Sequence, residues 1–180
     1  HIISEDFLKV KLENYFEEPF AIIGNFPYNI SSQILFKMLA YKEQVPELVG
    51  MFQKEVAERI VAQPGSKAYG RLAILAQWRS EAKIAMHLPP GAFTPPPKVS
   101  SAVVHLTALD VPKFEADAEV LSRVVAKAFN QRRKMLRAAL KGVTPDIEDR
   151  LQAAGIAPTE RAENVSLKAF CALAREVAKK

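Results

Sequence analysis

Residues Ala21-Ile-Ile-Gly-Asn-Phe-Pro-Tyr-Asn-Ile-Ser-Ser32 constrain this chain more than any other stretch. Ala21 to Ile23 is a short apolar run that reads as a buried strand. Gly24 ends it, and Asn25-Phe26-Pro27-Tyr28 makes a turn in which proline locks φ. Ser31 and Ser32 are candidate N-caps for an apolar helix from Ile34 to Ala40. A strand leading through a turn into a helix is the unit of an open α/β sheet, where ligands sit beyond the carboxyl ends of the strands. The turn is therefore the first place to look for chemistry.

Its residue types suit methyl transfer to an exocyclic amine. The lone pair of adenine N6 is delocalised into the ring, which makes that nitrogen a poor nucleophile. Two acceptors, the Asn25 side-chain oxygen and the Phe26 backbone carbonyl, can bind its two N–H groups and draw it toward tetrahedral geometry. Positioning and electrostatics then supply the rate. Tyr28 offers a flat face to a base taken out of its stack. The four letters alone fit an ordinary turn after a strand equally well.

Four further stretches occur in a matching order: Gln53-Lys-Glu-Val-Ala-Glu-Arg59, Pro64-Gly-Ser-Lys-Ala-Tyr-Gly-Arg71, Ala92-Phe-Thr-Pro-Pro-Pro-Lys-Val-Ser-Ser-Ala-Val-Val104 and Phe129-Asn-Gln-Arg-Arg-Lys-Met-Leu-Arg137. With the strand-end motif they resemble the small-subunit ribosomal RNA adenine N6,N6-dimethyltransferase family over essentially the whole chain. The resemblance implies an α/β fold: the C-terminal part of a Rossmann-like, S-adenosylmethionine-dependent methyltransferase sheet, residues 1–110. A small helical RNA-binding domain, residues 111–180, follows it. The implied partner is small-subunit rRNA in an assembling ribosomal subunit, dimethylated at two adjacent adenines near its 3′ end. In relatives Asn25, Phe26, Pro27 and Tyr28 form the catalytic motif, and Phe93 is a second aromatic wall against the flipped adenine. Asp6 and Asn25 contact the cofactor, and Lys98 faces the RNA backbone. The large-subunit adenine methyltransferases are the near rival, but the Phe129 to Arg137 segment matches the small-subunit enzymes better.

The chain departs from the family in one respect. It contains no Gly-x-Gly, the turn that cradles the cofactor in relatives. His1 to Asp6 reads as the remnant of the third strand, and the chain as a piece of a longer protein. The family's sheet order is 3-2-1-4-5-7-6, so Ala21 to Asn25 is expected to be an open apolar edge. Such an edge attracts another chain, and self-association or disorder of the first ten residues is expected. These 180 residues alone are expected to be catalytically inactive. The alternative reading is an RNA-binding or ribosome-assembly factor without turnover.

Composition sets the remaining bounds. The chain is 49% hydrophobic with 7 glycines, enough for one domain and a small appendage. No apolar run approaches a bilayer span. One cysteine, Cys171, rules out an internal disulfide and agrees with a reducing, cytoplasmic setting. Net charge is +5, yet seven basic residues and no acid lie between Val120 and Pro145, so the rest of the chain sums to −2. That is the footprint of a polyanion partner. Arg132, Arg133, Lys134 and Arg137 form its densest part, with Arg133 and Arg137 spaced to share a helix face.

Elsewhere, Leu48 to Phe52 and Ala82 to Leu88 read as strands, and Leu72 to Trp78 as a buried helix. Lys54 and Arg59, on the polar side of a helix from Glu55, can meet phosphates or simply face solvent. Lys67 and Tyr69 lie in a Pro-Gly loop and can contact RNA by charge and stacking. Leu88 to Lys98 is a stiff hairpin connection before the strand Ser101 to Leu106. The histidines have no neighbours at metal-ligand spacing, so no metal site is assigned. A Ser166-capped helix, Leu167 to Lys179, closes the chain.

Overall fold

The structure, a computed structural model, describes residues 2–41 and 43–179. It divides into two compact units, His1–Val61 with Arg79–Val111, and Ala62–Trp78 with Pro112–Lys180. The expected single boundary near residue 110 therefore lacks one feature: residues 62–78 cluster with the helical unit.

The first unit is built on four strands, β1 (Ala21–Asn25), β2 (Glu47–Gln53), β3 (Ser80–Leu88) and β4 (Ser101–Ala108), in the order β1-β2-β4-β3. β1 and β2 are parallel, and β4 runs antiparallel to both neighbours. This reproduces the last four positions, 4-5-7-6, of the expected sheet. Alternation along β2 buries Leu48, Gly50 and Phe52, which pair in register with Leu106, Val104 and Ala102. Helix α1 (Ser31–Ala40) turns Leu35 and Met38 toward Leu48 and Leu106. Each such aliphatic side chain contributes roughly 1.5–3 kcal/mol when fully buried. α2 (Lys54–Val61) leaves β2 directly and packs on β2, β3 and β4 through Ala57 and Ile60.

Three local expectations are corrected. β1 is not buried: its residues 21, 23 and 25 are exposed, Ile23 at 83%. The cause is position, in agreement with the open edge expected for this strand: among the described residues β1 has only β2 beside it in the sheet. Neither Ser31 nor Ser32 caps α1. Ile30 occupies the N-cap, and the Ser31 hydroxyl instead donates to the Tyr28 carbonyl at 3.1 Å. Residues 2–6 form no strand; His1 lies outside the described residues. The segment after them is held to α1 by Lys37, whose Nζ donates to the carbonyls of Phe7 and Val10.

The second unit contains α3 (Arg71–Arg79), α4 (Ala118–Asn130), α5 (Leu136–Ala139), α6 (Ile147–Ala153) and α7 (Leu167–Ala178). α4 buries Leu121, Val124, Val125 and Ala128, a single stripe at helical spacing. α7 answers with Phe170, Cys171, Leu173 and Ala174. The side chains of Asp117 and Ser166 cap these two helices, accepting from the amides of Val120 and Ala169. Ala73, Ile74 and Trp78 of α3 belong to this same core, and Trp78 Nε1 donates to the Phe114 carbonyl at 2.8 Å. That shared burial explains why residues 62–78 leave the sheet unit.

Candidate active site and nucleic-acid interface

The turn after β1 is fixed by its own backbone and by what its side chains fill. The Ile30 amide donates to the Pro27 carbonyl at 3.1 Å, closing the turn. The Phe26 ring folds inward and is buried. Gly24 and Gly50 are register partners on adjacent strands, and both lie beneath this ring. A Cβ at Gly24 would sit 2.7 Å from Phe26 Cε1, and one at Gly50 would sit 2.3 Å from Cε2. Neither approach is possible for a residue with a side chain, so the two glycines form a trough for the ring. Phe52 closes its side edge-on, with ring centroids 5.5 Å apart. Phe26 thus offers the site its backbone and not its ring.

Asn25 points the other way, exposed, with no side-chain hydrogen bond among the described residues. Tyr28 is half-buried and held at both ends. Its carbonyl accepts from Ser31, and its hydroxyl shares a 2.5 Å hydrogen bond with Ser101 Oγ. Asn25, Phe26, Pro27 and Tyr28 line one cleft of about 290 Å³ together with Phe93, Met51, Pro95 and Pro97. That volume is near the lower end, roughly 300 Å³, of sites that take small molecules. A residue 65 positions away in sequence from Tyr28, Phe93, is thereby brought to the same opening. Met51, the register partner of Asn25, was missed by sequence reasoning; only strand pairing reveals it.

Asp6 has a local role. Its Oδ1 accepts from the Leu8 amide at 3.0 Å, and its Oδ2 lies 3.6 Å from Lys9 Nζ. This carboxylate caps the turn that follows it.

The basic residues divide by environment. Lys54 pairs with Glu58 at 3.8 Å and Arg59 with Glu55, each one turn apart on an exposed helix face. Such pairs stabilise a helix by only ~0.3–0.5 kcal/mol, so a stronger anion displaces them readily. Lys67 and Lys98 are exposed. Tyr69 corrects the expectation of RNA stacking: it is 2% exposed, and its hydroxyl donates to the Val165 carbonyl at 2.9 Å. Burial pushes the pKa of that phenol well above its ordinary value, because the phenolate would be desolvated there.

Arg132 is also tied inward. Its Nε donates to Glu163 Oε2 at 2.7 Å and its Nη2 to the Ser66 carbonyl at 3.4 Å, while the Gly65 amide donates to the Glu163 carbonyl. Arg132 therefore clips the 63–70 loop to residue 163. Arg133 and Arg137 do not share a helix face as expected. Residues 131–134 form a turn, and α5 starts only at Leu136. Arg133, Lys134 and Arg137 are nevertheless exposed, and none has an ion-pair partner among the described residues. Two clefts run beside them. One, of about 380 Å³, is lined by Phe129 to Lys134. The other, of about 540 Å³, has Arg137 and Lys141 on one side and Asp146, Glu148 and Asp149 on the other.

With that geometry in view, comparison with known proteins is direct. The model of the ribosomal RNA adenine dimethylase family matches residues 1–179. The chain belongs to the ribosomal RNA adenine dimethylase family. A ribosomal RNA small subunit methyltransferase A from Ruegeria sp. (strain TM1040) is 65% identical over 99% of this chain, and one from Jannaschia sp. (strain CCS1) is 60% identical over 97%. The chain spans 65% and 61% of the length of these two relatives. A solved dimethyladenosine transferase from Plasmodium falciparum shares the dimethylase fold at TM-score 0.76, with 24% identity over 94% of this chain and 69% of its own. A 23S rRNA methyltransferase, ErmE, does so at TM-score 0.71, with 24% identity over 98% of this chain and 71% of its own.

Proposed function

We propose that this chain carries the base-holding half of an S-adenosylmethionine-dependent rRNA adenine-N6,N6-dimethyltransferase acting on the small ribosomal subunit during its assembly. The observation that carries the proposal is the cleft shared by Asn25, Phe26, Tyr28 and Phe93. A purine turned out of its stack enters between the rings of Tyr28 and Phe93. Its N6 amine donates one hydrogen to the Asn25 side-chain oxygen and the other to the Phe26 carbonyl. The nitrogen lone pair is thereby freed from the ring and directed at the donor. No separate general base is required, because the methylated nitrogen sheds its extra proton after transfer.

S-adenosylmethionine supplies the electrophilic methyl group. The residues present fit only part of that cofactor. Asn25 stands at the strand end with a free carboxamide, whereas Asp6 spends Oδ1 on the Leu8 amide and no Gly-x-Gly turn occurs in the chain.

The exposed Arg133, Lys134 and Arg137, with Lys67 and Lys98, grip the phosphate backbone of a structured RNA. The names of the relatives, small subunit methyltransferase A, support the small-subunit substrate over the large-subunit one. The bare edge of β1, with Ile23 exposed, supports strand pairing with a second copy at high concentration.

Methyl transfer from radiolabelled S-adenosylmethionine to immature small subunits tests this reading, with cofactor titration calorimetry beside it. A protein spanning the full length of these relatives is expected to place label in adenine N6 and to lose it in Asn25→Ala, whereas these 180 residues alone are expected to give none. RNA binding by that longer protein without label or cofactor heat assigns these residues to a binding factor without turnover.

A further inference from the structure

We infer that Ser101 is a positioning residue that sets the gap between the two aromatic walls of the cleft. The inference rests on the base-holding reading above and names a residue that reading does not use. Ser101 is the first residue of β4 and is 0% exposed. Its hydroxyl has one side-chain partner, the Tyr28 hydroxyl, at 2.5 Å across 73 residues of sequence. Its backbone sits at the neck of the loop that carries Phe93. Leu88, the last residue before that loop, and Ser101, the first after it, are register partners. On its other side Ser101 pairs with Gln53 at the end of β2, and the neighbouring Ser100 carbonyl accepts from the Lys54 amide at 2.9 Å.

One residue thus joins both walls. Its main chain anchors the loop of Phe93, and its side chain holds the free end of the Tyr28 ring. At the ring's other end the backbone of Tyr28 is fixed by the turn and by Ser31, whose hydroxyl donates to the Tyr28 carbonyl. A phenol held at both ends keeps one plane; a ring held only at Cβ rotates about χ1 and χ2. Stacking on an extruded base requires that plane to be set before the base arrives, since ordering it afterwards subtracts from binding. The contact also gives a reason for tyrosine at residue 28. Phenylalanine there presents the same face but leaves the buried Ser101 hydroxyl without its partner.

The test uses a single-stranded RNA carrying one 8-vinyladenosine, a fluorescent adenosine that keeps its N6 amine and is quenched when the base stacks. Ser101→Ala and Tyr28→Phe each delete the bond from one side without adding an atom. Each is expected to reduce occupancy of the stacked state about five- to tenfold, the value of one hydrogen bond. The double variant is expected to lose no more than either single one, because the two act through one bond. Overall RNA affinity, set by the basic residues, stays within about twofold at the salt where electrostatics dominate. Tyr15→Phe, which removes an exposed hydroxyl bonded to Glu5, serves as the control and quenches like the parent. Equal quenching by the parent, Ser101→Ala and Tyr28→Phe overturns the role of Ser101 and leaves the base-holding reading intact. Additive losses in the double variant overturn it as well. A parent protein that never quenches overturns the base-holding reading, and the role of Ser101 with it.

Discussion

Gly50→Ala isolates the packing that supports the strand-end turn. The added methyl would lie 2.3 Å from Phe26 Cε2, 2.9 Å from Cδ2 and 3.0 Å from Phe52 Cε2. Carbon atoms prefer separations of about 3.5–4.0 Å, so the Phe26 ring must retreat by about 1 Å. It has little room to do so, because Gly24 lies beneath its other edge and Phe52 stands against it. Inserting a methyl into such a core costs about 1–3 kcal/mol, and the rigid neighbour places this case toward the upper end. For a chain of this size each kcal/mol lowers the melting temperature by roughly 2–4 °C, which gives a drop of roughly 5–10 °C. Because the ring and the Phe26 carbonyl move as one residue, stacking of an 8-vinyladenosine probe, which keeps the N6 amine, should weaken as well. Thermal unfolding followed by circular dichroism gives the first quantity and fluorescence the second. Phe26→Leu in the Gly50→Ala background makes room for the methyl and should recover part of the stability, although Phe26→Leu alone is destabilising. Gly91→Ala, where nothing lies within 4 Å, should change stability by less than about 0.5 kcal/mol. If Gly50→Ala melts with the parent, or Phe26→Leu fails to compensate, the glycine trough does not hold the turn.

Replacing Arg133, Lys134 and Arg137 together by Gln should weaken RNA binding uniformly across sequences. The slope of log affinity against log salt should become shallower by about 2, at roughly 0.7 per lost phosphate contact, and an unchanged slope refutes their role. Tyr69→Phe orphans the buried Val165 carbonyl and should cost about 1–3 kcal/mol in chemical denaturation with RNA affinity unaltered; a selective loss of RNA binding would restore the stacking role. Burial pushes the Cys171 thiol up to about 11. Its folded value is raised above the unfolded one, so its contribution is complete below the unfolded value of about 8.5 and is lost as pH climbs toward 11. Stability should fall across that window, and Cys171→Ala should flatten the fall; an equal slope in both proteins excludes the thiol as its source.

What could be read without coordinates depended on whether a residue's role is local. The strand, turn and helix around Asn25 are written in adjacent letters, and so is the Ser166 cap. Roles that depend on a neighbour distant in sequence were hidden. Gly24 reads as the end of a strand and Gly50 as one letter within the strand Leu48 to Phe52 until register places them side by side under one ring. Tyr69 sits among loop residues, Pro64, Gly65 and Gly70, and so reads as exposed, yet Val165 and the Phe170 cluster draw it inward. Ile23 reads as buried because it is apolar, but burial requires a covering partner as well as a hydrophobic residue. The Arg133–Arg137 spacing failed for a related reason: four residues share a face only where the helix is continuous, and the helix stops at Asn130.

The same reasoning explains why the chemistry proposed for the cleft was more legible than its precision. Asn25, Phe26 and Tyr28 announce acceptors and a ring, which suit the proposed methyl transfer although the same letters fit an ordinary turn. Catalysis by positioning needs those groups held closely, since a misplacement of about 1 Å costs on the order of a hundredfold in rate. The residues that hold them are Gly24, Gly50, Ser31 and Ser101: small side chains chosen for what they leave empty or for one hydroxyl. Small residues carry little pattern along a chain, because glycine and serine occur in any loop. Their meaning is set by the partner across the strand, so the supporting shell of a site is the part that sequence conceals and structure reveals.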